Sequence, residues 1–240
     1  MGRLGNQMFQ IASTIGIARD NGIDYVFPGW EYSYYMNAQL PTKTLDNTSD
    51  IHENGFHHTP ILLDGGNKNL IGYFQSEKYF VRHKQEVMQY FKLKDEHQDY
   101  IRNKYGPMLA HNNTCSVHVR RTDYLRLQQH HPVLSLEYYR EAMNRFSGAL
   151  FLIFSDDIAW CKDNLKSDSM QFIEGENPIT DMYLMSMCNN NIIANSSFSW
   201  WSAWMNNADD KKVVAPKTWF GPAYKDMNTW DLLPETWIKI

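Results

Sequence analysis

The chain has 240 residues, enough for one large domain or for two of about 100–120 residues each. With 43% of its residues hydrophobic it can build a sizeable core, which excludes a disordered chain. A net charge of −4 argues against a nucleic-acid partner, because such binding needs a basic face to neutralise phosphates.

Cys115, Cys161 and Cys188 are odd in number and lack Cys-x-x-Cys spacing, which favours a reducing compartment. There is no apolar run of about 18 residues and no signal-peptide pattern. The expected location is therefore cytoplasmic, with no transmembrane segment and with peripheral attachment at a membrane left open. Asn47, Asn112 and Asn195 match the glycosylation acceptor pattern by accident on this reading. Aromatics reach 14%, which fits either an aromatic-rich core or rings that stack on sugars; composition does not separate the two.

In chain order, Met8, Ile11, Ala12, Ile15 and Ala18 recur at helical spacing and predict a helix over Gln7–Arg19, stopped by Asn21-Gly22. "IDYVF" then reads as a strand. Residues 28–70 are rich in Pro, Asn, His and Gly and read as loops with short strands. Leu70–Tyr73 is an expected strand. "EVMQYFKLKDEHQDYIRNKYG" is helical in two pieces, ending at Gly106-Pro107. "NNTC" marks the expected domain boundary, with domains over 1–110 and 111–240.

Beyond it strands and helices alternate: "CSVHV", a helix over "SLEYYREAMNRF" capped by Ser135, and "ALFLIF", whose unbroken apolar run marks a buried strand. "IAWCKDNL" follows as a helix, then strand "MQFIE" and a helix over "ITDMYLMSMC" capped by Thr180. Strand "NIIA", helix "SFSWWSAWMNN" and strand "KVVA" complete the series. This alternation predicts an α/β fold with a parallel, doubly wound sheet.

Open α/β sheets bind ligands beyond the carboxyl ends of their strands. Arg120, Arg121 and Asp123 leave "CSVHV" at that edge, where an arginine fork can hold a diphosphate. Consecutive residues point to opposite sides, so at most one of the two arginines faces the ligand. The other pairs with a carboxylate such as Asp123 or packs beneath the loop; the alternative for the whole group is a surface ion-pair cluster. Asn195, Ser196 and Ser197 sit between a buried strand and a helix, offering an anion site or ordinary capping. Trp200, Trp201 and Trp204 are read as helix packing. Asp156 and Asp157 in "FSDD" take a hydrogen-bonding or structural role, since no Asp-x-Asp pattern for a metal-held sugar nucleotide occurs. His57-His58 and His130-His131 lack zinc spacing and read as loop histidines. Walker, Gly-x-Gly-x-x-Gly and Gly-x-Ser-x-Gly motifs are all missing from the sequence.

The segments "GRLGNQMFQIA", "GYFQSEKYF", "VHVRRTDY", "FSDDIAWC", "DMYLMSMCNNNIIANSSFSWWSAWMN" and "DLLPETWIKI" occur in that order. Together they resemble the α-1,2-fucosyltransferases of glycosyltransferase family 11, over nearly the whole chain. The resemblance implies a GT-B-like architecture, two Rossmann-like domains with a cleft between them, an N-terminal acceptor-side domain and a C-terminal GDP-fucose-binding domain. It implies GDP-β-L-fucose as donor, a galactose-terminated oligosaccharide as acceptor, inversion, and no required metal or other cofactor.

By resemblance Arg120 contacts the donor diphosphate, with His118 and Asp123 at the other fixed motif positions. Ser196 and Ser197 match the loop near the phosphates, and Asp181 an acid near the nucleotide. Gly5, Asn6 and Gln7 belong to the N-terminal glycine loop facing the acceptor. Asp123 and His118 both stay open as the general base. Thr122 stands where a glycine is common, which bears on the linkage formed. Family members place a strand before the glycine loop; here Met1 alone precedes Gly2, so the expectation is either that the strand is missing or that the start is misplaced. Alternatives are another linkage, another GDP-sugar, an inactive GDP-sugar- or carbohydrate-binding module, and a structural assembly protein.

Overall fold

The computed structural model describes residues 2–240. The expected absence of a strand before Gly2 concerns Met1, which lies outside the described residues. Two compact units are present: residues up to Gln98 with Met227–Glu235, and Asp99–Asp226 with Thr236–Ile240. The division thus falls before the expected boundary at 110. The residues that draw the intervening helix into the second unit are Tyr105, whose hydroxyl donates to Glu176 Oε1 at 2.7 Å, and Lys104, whose Nζ lies 2.5 Å from the same oxygen.

In the first unit helix α1 spans Leu4–Asp20, three residues longer at its start than the periodicity predicts. Met8, Ala12 and Ile15 are fully buried along it. Gly5 therefore lies in the first helical turn rather than in a loop. The turn before the helix is made by Gly2, at φ +76°, a region that glycine enters without steric penalty. A Cβ on Gly16 would lie 1.9 Å from the Tyr79 carbonyl oxygen, so only glycine lets α1 lie directly on residues 79–80.

"IDYVF" is not a strand. Phe27 makes a single bridge to Thr42, and Pro28 and Pro41 supply no N–H to extend it. The strands present are β1 (Thr48–His52) and β2 (Asn67–Ile71), paired in parallel from Thr48↔Asn67 to His52↔Ile71. β1 is polar and largely exposed, so it carries no alternation to read. Helix α2 (Lys84–Tyr90) follows.

In the second unit, α3 (Asp95–Leu109, its first turn still in the first unit) runs through Pro107 and ends two residues later, the proline forfeiting one bond of the last turn. Then come β3 (Thr114–Val119), α4 (Leu136–Met143), β4 (Leu150–Ser155), α5 (Ile158–Asn164), β5 (Met170–Phe172) and α6 (Pro178–Ser186). β6 (Asn190–Ile192), α7 (Ser197–Met205), β7 (Val213–Ala215) and β8 (Ile238–Lys239) complete it. Ser135 caps α4 by accepting from the Tyr138 N–H at 3.3 Å, as expected. The cap of α6 is Asn177, not Thr180: its Oδ1 accepts the Thr180 N–H at 3.0 Å and Pro178 opens the first turn.

The sheet order is β5-β4-β3-β6-β7-β8, with every pairing parallel. That is the doubly wound order in which the chain starts in the middle, runs to one edge, returns and runs to the other. β8, within the "TWIKI" terminus, is too short to be read from sequence. All three cysteines are buried thiols. Among the described residues no helix is long and apolar enough to cross a membrane.

Candidate functional site

The strand order reverses between β3 and β6, so a crevice is expected outside their carboxyl ends. The segments leaving those two strands are Arg120–Asp123 and Asn195–Ser197. Topology therefore joins two motifs that lie more than seventy residues apart in sequence. Two hydrogen bonds tie them: Tyr124 Oη donates to the Asn195 carbonyl at 3.0 Å, and His118 Nδ1 lies 2.9 Å from Ser199 Oγ.

Arg120 is held by carboxylates. Its Nη2 lies 2.7 Å from Asp123 Oδ1, its Nη1 3.3 Å from Asp156 Oδ2, and its guanidinium stands 5.5 Å from the Tyr124 ring centroid. Asp156 also accepts the Arg121 N–H at 2.9 Å, the Thr122 N–H at 3.1 Å and the Thr122 hydroxyl. One carboxylate thus fixes both the backbone after β3 and the plane of the arginine fork. Thr122 adds its hydroxyl to that anchor.

Arg121 turns elsewhere. Its Nε donates to Asp157 Oδ2 at 3.1 Å and its guanidinium lies 4.0 Å from the Trp160 ring centroid. Asp157 in turn caps α5 through the Trp160 N–H. The opposite directions of the two arginines follow from their alternation along the chain. The partners differ from expectation, however: Asp123 orients Arg120, while Asp157 holds Arg121 on α5. Arg121 thereby ties the loop after β3 to the start of α5.

His118 is a strut. It is only 5% exposed, packs 5.4 Å from the Phe198 ring and bonds Ser199 in the first turn of α7. Burial, reinforced by the Arg120 charge, pulls its pKa down to about 3. Enclosed between β3 and α7, the imidazole is thus held neutral, with Ser199 as its hydrogen-bond partner. Because its folded pKa lies below the unfolded value near 6.5, it adds stability at neutral pH that is lost as pH falls from about 6.5 toward 3. His118→Gln should therefore lose less stability than the unaltered chain between pH 7 and pH 5, by on the order of 1–2 kcal/mol. Denaturant titration at the two pH values checks it.

Asn195 is 1% exposed, and its amide donates to the carbonyls of Pro132 and Trp219, each at 3.0 Å. Its amide nitrogen is thus committed to the loops around it, while its Oδ1 is buried without a hydrogen-bond partner. Ser196 occupies the N-cap of α7 without its hydroxyl accepting from a helix N–H, and Ser197 begins the helix. Both are partly exposed, at a helix terminus whose N–H groups and positive dipole end favour an anion. Asp181 lies in the first turn of α6; burial, then Glu176, raises its pKa to about 7, and its Oδ1 is buried without a hydrogen-bond partner.

In the first unit Asn6 Oδ1 accepts from Gln75 Nε2 at 2.9 Å, and Gln7 Oε1 accepts from Trp30 Nε1 at 2.9 Å. Gly5 is buried in the same turn. Sequence reasoning singled out neither Asp156 as the organiser of the arginine loop, nor Tyr124, nor Gln75. "FSDD" was the signal for the first, because acids ending a strand beside Arg120 sit at the same sheet edge. His131, read as a loop histidine, stacks on Tyr124 at 5.0 Å and so packs beneath this loop.

The description of Glycosyl transferase family 11 matches residues 1–240. An α-1,2-colitosyltransferase of Escherichia coli is 31% identical over all of this chain and 96% of its own length. The galactoside α-(1,2)-fucosyltransferase 2 of Gorilla gorilla gorilla is 26% identical over 87% of this chain and 68% of its own. Among solved structures, the fucosyltransferase NodZ from Bradyrhizobium superposes with a TM-score of 0.54 at 15% identity, over 82% of this chain and 88% of that one. That likeness places the fold, α/β with parallel sheets, in the GT-B class expected from sequence. With the whole chain matched and the switch-point residues in place, the protein is a member of glycosyltransferase family 11.

Proposed function

We propose that the chain transfers L-fucose from GDP-β-L-fucose to the 2-hydroxyl of a terminal galactose, with inversion and without a metal. The observation that carries this reading is Arg120 at the β3/β6 switch point, oriented by Asp123 and Asp156, with the amino end of α7 on the neighbouring strand's connection. A guanidinium fork and helix N–H groups are the donors that a departing diphosphate requires.

On this reading the second unit forms the donor side, with Arg120, Ser196 and Ser197 at the phosphates and Asp181 near the nucleotide. The first unit forms the acceptor side around Gly5, Asn6 and Gln7. The acceptor hydroxyl attacks the anomeric carbon as its own proton passes to a base, the C1–O bond to GDP breaks, and the transition state is oxocarbenium-like. Asp123 is the remaining acid in the motif that could take that proton, although its ion pair with Arg120 gives it an orienting role as well. The location proposed is cytoplasmic.

A second reading keeps the linkage and changes the donor. The colitosyltransferase relative, at 31% identity, favours a GDP-linked colitose in place of fucose. Incubation with labelled GDP-fucose and galactose-terminated glycans, with and without chelator, tests the first reading. Fucosylated product whose linkage is α-1,2 by NMR, formed equally in chelator, is expected. Product only from the colitose donor would select the second reading, and GDP-fucose binding without transfer would leave a binding module.

A further inference from the structure

His130-His131 and the stretch "WFGPAY" after β7 take no part in the reaction scheme, yet the second unit brings them together. The Gly221 N–H donates to the His130 carbonyl and the Ala223 N–H to the Gln129 carbonyl, each at 2.8 Å. A Cβ on Gly221 would lie 2.5 Å from the carbonyl oxygens of Gln128 and Gln129, so only glycine lets the two segments come this close. The Asn195 amide, bonded to the carbonyls of Pro132 and Trp219, ties both to the end of β6.

What this pairing holds in place is the ring of His131. It stacks on Tyr124, with centroids 5.0 Å apart and planes 19° from parallel, and Phe220 stands 5.7 Å away. Its Nδ1 is buried without a hydrogen-bond partner. A buried N–H there would be costly, so the proton belongs on Nε2 and Nδ1 carries a bare lone pair. Burial, then the neighbouring His130, holds the pKa below the usual histidine value, and the ring is uncharged at neutral pH. The imidazole is thus held by aromatic faces.

Tyr124 links that ring to the anion site. Its hydroxyl donates to the Asn195 carbonyl at 3.0 Å, and the Arg120 guanidinium lies over its ring, 5.5 Å from the centroid. Asp123 and Asp156 take the nitrogens of the guanidinium. Such bonds run along N–H directions, within the guanidinium plane, and leave tilt out of that plane to a packed face. A phenol ring fixed both at its hydroxyl and at its face supplies that restraint.

We infer that His131 and Tyr124 are positioning residues for Arg120: a neutral imidazole, braced by Phe220 and the segment around Gly221, sets the phenol ring against which the guanidinium lies. The assignment rests on the reading of Arg120 as the contact for a nucleoside diphosphate. Loss of the imidazole frees the Tyr124 ring to tilt, and the arginine fork with it.

The test uses the full chain with GDP as the probe and calorimetry as the measure of affinity. His131→Ala should weaken GDP binding about fivefold, the scale of one cation–π contact, and His131→Phe, which keeps a flat ring, should restore most of it. Arg120→Lys should cost less affinity in His131→Ala than in the unaltered chain, because the fork it removes is already misaimed; a role unconnected with Arg120 would leave that cost the same. Circular dichroism verifies folding, and if His131→Ala does not fold, Tyr124→Leu, which removes the ring beside Arg120, is read by the same measures. GDP bound equally by the unaltered chain and by His131→Ala overturns the inference, as does a phenylalanine variant as weak as the alanine one, or an unchanged cost of Arg120→Lys. GDP binding that is weakened in His131→Ala, in a chain that transfers nothing from GDP-fucose, would uphold the positioning role and refute the transfer. An unaltered chain that binds no GDP would refute both.

Discussion

Arg120→Lys is expected to lower kcat for sugar transfer by about 10²–10³ while leaving the fold intact, the loss seen when one preorganised donor to a developing anion is removed. The reason is geometric. Asp123 and Asp156 hold the Arg120 guanidinium on two sides, so its plane is set before any ligand arrives. Lysine keeps the charge but supplies a point ammonium on a flexible stem, which cannot present the fork. On the proposed reading, charge on the departing diphosphate grows as the C1–O bond breaks, so the deficit should fall on kcat more than on the donor KM. Near-normal turnover in the lysine variant would remove Arg120 from the transition state. Steady-state kinetics at several donor concentrations, with circular dichroism as the folding control, make the measurement.

Trp200→Ala should be the most destabilising single change in the second unit, costing about 3–5 kcal/mol and lowering its melting temperature by about 10–15 °C. Trp200 is fully buried. Its ring lies 5.2 Å from Trp201, 6.1 Å and nearly parallel from Trp204, and 5.5 Å from Trp237. Removing it opens a cavity among three other indoles and also deletes aromatic pairs worth about 0.5–1.5 kcal/mol each. The same burial decides between two readings of the aromatic content: Trp200, Trp201 and Trp204 are core, and a sugar does not reach them. Trp200→Phe should recover part of the loss. A melting temperature unchanged in the alanine variant would mean that the indole cluster contributes little to the stability of this unit.

The second unit was the legible one. Short apolar runs alternate there with helical periodicity, and each buried strand is flagged by its own composition. "ALFLIF" and "CSVHV" are strands to within a residue. The first unit was legible in its helices but less so in its strands, which are held by position rather than by pattern. β1 reads "TSDIH", with four of its five residues exposed, and its register comes from pairing with β2. "IDYVF", with the right composition, finds only one bridging partner between two prolines. At α6 the stronger cap was Asn177, because Pro178 favours the first helical position and moves the helix start upstream of Thr180.

Local chemistry, by itself, determined which residues can meet an anion: an arginine pair leaving a buried strand, and serines opening a helix. It also determined the parallel α/β class and, through six ordered motifs, the family. Only the tertiary structure decided which arginine is aimed and by what. The carboxylates that choose, Asp156 and Asp157, come from the next strand of the sheet, and their reach depends on β3–β4 register. Likewise His118 became a strut and Phe74 a buried residue with strained backbone only once neighbours distant in sequence closed around them, since burial and backbone strain are properties of the packed chain and not of any segment alone.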